Sequence, residues 1–187
     1  MKVNRIFILA LLITMLSFPT SSFAVTWNDG SLIHEYLLFR DPQIEWLDAA
    51  DYIDNNLVGD WYLATITSWE EQNFVSTKVL IGLDRECWIG GYQDPSEMAR
   101  DDNWLWVTGE PWEYTNWALE EPNDNDGPGS EQYLAINWNG NWNDENTLIN
   151  IAGFVAERTA AVPEPATLFL LGSGLVGLVG LRRKSSQ

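Results

Sequence analysis

The chain has 187 residues, of which 45% are apolar, 13% aromatic and 20% charged. This composition is typical of a folded domain and excludes collagen-like, disordered and low-complexity chains. Asp and Glu outnumber Lys and Arg by 27 to 10, for a net charge of −17, so nucleic acid and anionic membrane surfaces, which attract clustered basic residues, are not expected as partners.

The first 24 residues have the pattern of a secretory signal peptide. Lys2 and Arg5 precede an apolar run over residues 6–16, and Ser22-Phe23-Ala24 places small residues where cleavage after Ala24 requires them. The run is shorter than the ~20 residues of a membrane span, and an uncleaved anchor is the alternative. We therefore expect export, with a single domain over residues 25–159.

The first half of that domain alternates strand and helix patterns. Polar and apolar residues alternate over 34–39, an amphipathic pattern over 43–56 predicts a helix, and 62–66 is a short apolar strand. Ser68 and Glu71 form a capping box that begins a second helix, extending to about Leu80. Further short strands are predicted at 88–90, 133–138 and 151–157.

Cysteine and histidine each occur only once in the chain. Cys87 is the single cysteine, so the exported domain folds without an internal disulfide. Beside Trp88 and Ile89 it is predicted to be a buried apolar residue, with a disulfide between two chains as the alternative. The single histidine, His34, excludes a His-rich zinc site and makes a His-based catalytic triad a weak hypothesis.

A long irregular stretch separates the two groups of predicted strands. It runs from Tyr92 to about Ser130, which is long for a loop in so small a domain, and it is too aromatic for disorder. Its aromatic residues are expected to anchor it by core packing, with sugar stacking as the alternative. These residues are Trp104, Trp106, Trp112, Tyr114 and Trp117.

Oxygen-bearing side chains cluster in the sequence where this loop ends. They are the side chains of Glu121, Asn123, Glu131, Asn143 and Asp144. Three carboxylates and two amides are hard oxygen donors, which suit Ca²⁺ better than metals that prefer nitrogen or sulfur. Five residues leave positions open in a shell of 6 to 8 ligands, and the paired hydroxyls of a sugar could fill them. The alternative is an acidic loop surface with no ion.

At this point the sequence resembles the C-type lectin-like domain over about residues 32–158. The residues that carry the resemblance are His34, Tyr36, Trp46, Ala49, 63–66 (Leu-Ala-Thr-Ile), 70–73 (Glu-Glu-Gln-Asn), 88–90 (Trp-Ile-Gly), Trp104, Trp106, Gly109, Tyr114, Asn116, Trp117, 121–123 (Glu-Pro-Asn), 142–144 (Trp-Asn-Asp) and 154–157 (Phe-Val-Ala-Glu). Any one of these short motifs is weak, but their order and spacing together are specific.

The resemblance implies an α+β fold with two helices, two small antiparallel sheets and a long calcium-binding loop region. It assigns both calcium binding and carbohydrate binding to Glu121, Asn123, Glu131, Asn143 and Asp144. The Glu-Pro-Asn form at 121–123 goes with mannose-type sugars, and the family has a cis peptide bond before the proline, here Pro122.

The sequence departs from the family in its cysteines and in a second calcium site. Ile53, Tyr133, a residue near Thr147 and Ala156 stand where vertebrate members have disulfide-bonded cysteines, so we expect calcium to contribute more of the order of the loop. A second calcium site would use Asp94, Glu97, Asp124 and Glu131. Because Gln132 stands where another carboxylate is usual, we expect that second site not to bind an ion.

The C-terminal segment, residues 160–187, resembles the PEP-CTERM sorting signal of Gram-negative bacteria. Val162-Pro163-Glu164-Pro165 is followed by an apolar, glycine-containing run at 166–181 and then by Arg182, Arg183 and Lys184. The resemblance implies a transmembrane segment at 166–181, held transiently in the inner membrane until an exosortase cleaves near Pro-Glu-Pro and releases the protein to the outer surface or the medium. A permanent anchor is the alternative.

The sequence thus leaves three classes of function. The first is an exported, calcium-dependent lectin that binds carbohydrate, for instance the exopolysaccharide of the producing cell. The second is an interaction module on the same fold that needs neither sugar nor calcium. The third is a glycosidase using two carboxylates, which is disfavoured because no carboxyl group in an apolar pocket can be named and the best candidates are assigned to metal. We therefore expect no enzyme activity.

Overall fold

A computed structural model of the chain describes residues 24–94, 96–146 and 150–161. The strands are β1 (Val25–Asn28), β2 (Leu32–Phe39), β3 (Tyr62–Leu63), β4 (Glu86–Tyr92), β5 (Leu105–Trp106), β6 (Tyr133–Ile136), β7 (Trp142–Glu145) and β8 (Ile151–Ala161). The helices are α1 (Trp46–Asn56) and α2 (Trp69–Phe74), and α2 continues into a π-helical turn at Val75–Val79. None of the helices within these residues has the length and apolarity needed to cross a bilayer. The expected signal peptide before Ala24 and the expected span at 166–181 lie outside the described residues.

The strands form one mixed sheet in the order β1-β2-β8-β4-β6-β7, with β3 added to β8 and β5 added to β4. The two helices and this sheet confirm the expected α+β class. The expected two antiparallel sheets are joined, because β4 pairs with β8 in parallel while the other pairs are antiparallel. The strand β8 therefore connects the N-terminal hairpin to the strands that carry the candidate site.

The helices begin and end close to the predicted positions. The first begins at Trp46 rather than at 43, because Gln43 has a left-handed φ of 69° and its backbone N–H donates to Ile151 in β8. Half of the predicted capping box is present, because the Ser68 hydroxyl accepts from the backbone N–H of Glu71 at 3.2 Å. The Glu71 carboxylate accepts from the backbone N–H of Thr67 at 2.8 Å, one residue before the cap. Regular α-helix ends at Phe74, and the wider turn takes the helical segment to Val79.

The strands differ from the predicted ranges mainly at their ends. The predicted strand at 62–66 keeps only Tyr62–Leu63 as a strand, whereas β4 and β8 extend beyond the predicted 88–90 and 151–157. The predicted strand at 133–138 ends at Ile136, because residues 137–140 turn back with Gly140 N–H donating to the Asn137 carbonyl at 2.8 Å. The strand β1, which was not predicted, pairs with β2.

Apolar packing occupies described positions where the resemblance placed missing cysteines. Ile53 and Ala156 are both buried in one core cluster, and Tyr133 stacks on Trp46 with ring centroids 4.8 Å apart. Thr147 lies outside the described residues. Cys87 is fully buried in the other core cluster, as predicted, and burial raises the pKa of its thiol to about 12.

The long stretch from Tyr92 to Ser130 is anchored by aromatic packing, as predicted. Tyr92 ends β4, and among the described residues after it the only helix or strand of the stretch is β5. The indole of Trp142 in β7 lies at the centre of this packing. Its ring meets those of Trp106, Tyr114 and Trp117 edge to face at 5.5, 5.7 and 5.9 Å. Its Nε1–H donates to the side-chain oxygen of Gln72 in α2 at 2.8 Å. The loop is thereby fixed to β7 just before Asn143 and Asp144.

Candidate functional site

The segment Glu121-Pro122-Asn123 is fastened to β7 through the carboxylate of Asp144. This carboxylate accepts from the backbone N–H of Asn123 at 2.8 and 3.0 Å and from that of Asp124 at 2.9 Å. The peptide bond between Glu121 and Pro122 is cis, as the resemblance implied. Asp144, which is 1% exposed, therefore holds the Glu-Pro-Asn segment beside the strand that carries Asn143.

A second set of hydrogen bonds closes the loop between Asp124 and Glu131. The carboxylate of Asp124 accepts from the backbone N–H of Gly129 at 2.8 Å and of Glu131 at 3.1 Å. In return, the carboxylate of Glu131 accepts from the backbone N–H of Asn125 at 2.7 Å. Glu131 is thus brought to the same region as Glu121 and Asp144.

Three of the five predicted ligand residues present a buried oxygen atom that has no hydrogen-bond partner. These atoms are Glu121 Oε2, Asn123 Oδ1 and Asn143 Oδ1. A buried acceptor without a partner costs roughly 1 to 3 kcal/mol. Three such oxygens lie on adjoining segments, and no N–H or O–H group donates to them. A cation bound between them would accept their electron pairs. The donor set is therefore chemically suited to Ca²⁺.

Asn143 is oriented by a residue that was not predicted from the sequence. Its side-chain NH₂ lies 3.4 and 3.5 Å from the carboxylate oxygens of Glu86 at the start of β4, which leaves its Oδ1 as the end without a partner. Burial raises the pKa of Glu86. The sequence signal was absent, because Glu86 is far from the other site residues along the chain and only the pairing of strands brings it near.

Negative charge accumulates at the site. Burial, a hydrogen bond to Asp144 and the charges of Asp144 and Glu131 raise the pKa of Glu121 to about 7. Burial and the charges of Asp144, Glu145 and Asp126 likewise raise the pKa of Glu131 to about 7, against a lowering by the Asn125 backbone N–H. Each carboxylate makes ionisation of its neighbour harder, so a divalent cation would relieve a repulsion built into the fold.

The carboxylates of this site are close without being tightly gathered. Among the described residues, no choice of one carboxylate oxygen each from Glu121, Glu131 and Asp144 places all three oxygens within 4.8 Å of one another. A shared ion would therefore draw these groups closer together.

Two residues of the possible second calcium site, Asp94 and Glu97, accept hydrogen bonds from residues close to them in the chain. Asp94 accepts from the backbone and hydroxyl of Ser96, and Glu97 accepts from the backbone N–H groups of Met98 and Ala99. The side-chain NH₂ of Gln132 donates to the backbone carbonyl of Asp94 at 3.1 Å, where a carboxylate would have been repelled. That no ion binds at this second site stays a prediction.

Comparisons with known protein families match two parts of the chain. Residues 59–150 match the lectin C-type domain, and residues 161–184 match the PEP-CTERM protein-sorting motif. Human asialoglycoprotein receptor 2 is 32% identical over 108 residues, covering 55% of this chain and 31% of the receptor. Ladderlectin of Oncorhynchus mykiss is 34% identical over 88 residues, covering 45% of this chain and 43% of ladderlectin. The chain therefore spans less than half the length of these relatives.

Solved structures confirm the C-type lectin-like fold, and their alignments cover nearly the whole of the described domain. The cow C-type carbohydrate-recognition domain of CD23, solved in the presence of GlcNAc2Man3 oligosaccharide, is 25% identical, with a TM-score of 0.56. The alignment covers 73% of this chain and 98% of that domain. The mouse scavenger receptor C-type lectin carbohydrate-recognition domain is also 25% identical, with 75% and 97% covered and a TM-score of 0.53. No catalytic family is indicated by these matches.

Proposed function

Because the chain carries a C-type lectin domain followed by a PEP-CTERM sorting motif, we propose that it is an exported lectin that binds carbohydrate through Ca²⁺. The residues that would hold the ion are Glu121, Asn123, Glu131, Asn143 and Asp144. The bound Ca²⁺ would supply open coordination positions that attract the paired hydroxyls of a sugar. No covalent bond is made or broken in this function.

The observation that carries the proposal is the set of buried oxygens without partners on Glu121, Asn123 and Asn143. A surface loop without an ion would be expected to turn these atoms to water or to nearby donors. Here Asp144 and Glu86 instead fix the segment and the amide so that the oxygens stay buried and unpaired. The same side chains would then contact the ion and, with their remaining atoms, the sugar hydroxyls.

The proposed sugar class is mannose-type. Its support is the Glu121-Pro122-Asn123 segment, which the resemblance associates with such sugars, and the cis bond before Pro122 matches the family's form of that segment. The CD23 domain, which shares the fold, was solved in the presence of an oligosaccharide that contains mannose. The polysaccharide surrounding the producing cell is the ligand we propose.

The proposed location follows from the two ends of the chain. The signal peptide at 1–24 would direct export, and the motif matched at 161–184 would hold the protein in the inner membrane until an exosortase processes it. The domain would then reach the outer surface or the surrounding polysaccharide.

The test is retention of the purified full chain on immobilised mannan, in Ca²⁺ and in chelator. The informative variant is Asn143→Ala, and the matched control is Asn139→Ala, because Asn139 is exposed in the turn between β6 and β7. Wild type and Asn139→Ala should be retained in Ca²⁺ and released by chelator or free mannose, and Asn143→Ala should pass through. Retention that survives chelator and the Asn143→Ala change would show sugar binding without the proposed ion, and a wild-type protein that is not retained at all would favour the interaction module that needs neither sugar nor calcium.

A further inference from the structure

A second group of metal-binding side chains lies apart from the loop. His34 in β2, Glu71 in α2 and Glu157 in β8 each offer one donor atom, and the three atoms all lie within 4.8 Å of one another. Their side chains are buried, with the three residues 8%, 2% and 1% exposed. Among the residues that the structure describes, this is the one such group of three or more His, Cys, Asp or Glu residues.

The two carboxylates of this group are held so that one oxygen of each faces the histidine. The backbone N–H of Thr67 donates to Glu71 Oε2 at 2.8 Å, and the backbone N–H of Thr65 donates to Glu157 Oε2 at 2.9 Å. The other oxygens, Glu157 Oε1 and Glu71 Oε1, lie 2.7 and 3.9 Å from His34 Nδ1. The backbone of the Thr65–Thr67 segment thus aims both Oε1 atoms at one point.

The other ring nitrogen of His34 has a carboxylate partner of its own. His34 Nε2 lies 3.4 Å from Asp29 Oδ2 in the turn between β1 and β2. A metal-binding histidine commonly donates its second ring N–H to a carboxylate, which leaves the first nitrogen as an electron-pair donor. A metal at Nδ1 would replace the hydrogen bond that Nδ1 makes with Glu157 Oε1 in the structure, with the ring proton kept on Nε2 beside Asp29.

We propose that His34, Glu71 and Glu157 bind one divalent transition-metal ion, with Zn²⁺ the best fit. A neutral imidazole and two carboxylates carry a charge of about −2, which balances such an ion and leaves no uncompensated charge in the core. A tetrahedral Zn²⁺ with ligands at ~2.1 Å separates its donors by about 3.4 Å. The two distances from His34 Nδ1, 2.7 and 3.9 Å, lie on either side of that value, so changes of about 0.5 to 0.7 Å would bring these donors to the spacing of a tetrahedral ion.

The donor atoms of this site favour a different metal from those of the calcium-binding loop. Zn²⁺ accepts imidazole nitrogen together with carboxylate oxygen, whereas Ca²⁺ prefers oxygen donors alone. The hydroxyl of Tyr36, which donates to Glu71 Oε1 at 2.7 Å, is a candidate for the fourth position. A bound ion would tie β2, α2 and β8 together in a domain whose single cysteine cannot form an internal disulfide.

The test compares zinc binding in Glu71→Gln and Glu70→Gln. Both substitutions remove one negative charge from α2, but Glu70 is exposed and Glu71 is buried in the group. The purified full chain is stripped with chelator, incubated with a micromolar excess of Zn²⁺ in saturating Ca²⁺, passed through gel filtration and analysed for zinc by mass spectrometry. Wild type and Glu70→Gln should retain one zinc per chain, and Glu71→Gln should retain little. In cobalt-loaded protein, visible absorption bands should follow the same pattern.

A milder variant keeps the test decisive if Glu71→Gln fails to fold. Asp29→Asn leaves the three ligands in place and should weaken zinc binding about 10- to 100-fold in competition with a coloured chelator, as expected for an outer partner of a ligating histidine. Far-UV circular dichroism checks that each variant is folded. Equal zinc in wild type, Glu71→Gln and Asp29→Asn, or no zinc retained by wild type, would overturn the proposal and leave the group as a hydrogen-bonded cluster that holds protons only. Sugar retention on mannan is measured separately, since the loop residues are not part of this site.

Discussion

Replacing Trp142 with phenylalanine tests whether the aromatic cluster holds the loop in place. Trp142 is fully buried, meets the rings of Trp106, Trp112, Tyr114 and Trp117, and donates its Nε1–H to Gln72 Oε1 at 2.8 Å. The smaller ring removes apolar surface worth roughly two methylene groups, about 1.6 kcal/mol. The lost donor leaves the buried Gln72 oxygen without that bond, at a cost of about 1 to 3 kcal/mol.

The two costs together predict a loss of about 2.6 to 4.6 kcal/mol in the free energy of unfolding. For a domain of this size that corresponds to a Tm roughly 8 to 15 °C lower. The measurement is thermal unfolding followed by near-UV circular dichroism, which reports on packed aromatic rings. Trp138→Phe is the matched control, because Trp138 is 51% exposed on the neighbouring turn and its replacement should change stability by less than about 0.5 kcal/mol.

The result that would refute this reasoning is a Trp142→Phe protein as stable as Trp138→Phe. The indole would then not be the centre of the loop's packing. A second consequence concerns the candidate site, because Trp142 immediately precedes Asn143 and its backbone N–H and carbonyl bond to Asn116 and Ala118 at 2.8 Å. Loosening this strand should also weaken the response to Ca²⁺.

Three further predictions follow from packing and linkage. Burial raises the pKa of the Cys87 thiol to about 12, so iodoacetamide at pH 8 should label it only in denaturant; rapid labelling of folded protein would show that the thiol is accessible. Gly140→Ala should lower the Tm far more than Gly127→Ala, although both glycines have positive φ. A Cβ at Gly140 would lie against the Ser76 hydroxyl, whereas none of the described atoms lies within 4 Å of a Cβ at Gly127. Equal effects of the two substitutions, measured by calorimetry, would contradict that contact. Ca²⁺ at ten times its Kd should stabilise wild type by about 1.4 kcal/mol, or roughly 3 to 6 °C in Tm, and should leave the Tm of Asn143→Ala unchanged; a rise in both proteins would place the ion elsewhere.

Local signals in the sequence were enough for the elements that depend on neighbouring residues. The Ser68 N-cap of α2 and the amphipathic pattern of α1 depend on residues a few positions apart, and the structure has both helices. Strand ends were harder, since the end of β6 is set by the turn at Gly140 and the length of β8 by its pairing with β2 and β4. The sequence contains no short-range signal for such partners.

The candidate site likewise has a part that the sequence predicts and a part that only the folded structure shows. Its five proposed ligands could be chosen from residue chemistry and from the resemblance. The hydrogen bonds that hold these ligands in place could not be predicted from the sequence. Asp144 as an acceptor of backbone N–H groups and Glu86 as the partner of the Asn143 amide become visible only when β4, β6 and β7 are paired. The group at His34 and Glu71 was missed for the same reason, because its members are distant along the chain and join only through folding.

The measurement that tests the central claim most directly is a calcium titration of the full chain, followed by tryptophan fluorescence. It is made on wild type, on Glu121→Gln and on Glu120→Gln, which removes the same charge from an exposed neighbour. The account predicts saturable binding with a Kd of roughly 10⁻⁴ to 10⁻³ M for wild type and Glu120→Gln, and a much weaker response for Glu121→Gln. If wild type does not respond up to about 10 mM, well above that range, or if Glu121→Gln binds as tightly as wild type, the calcium-dependent lectin is contradicted.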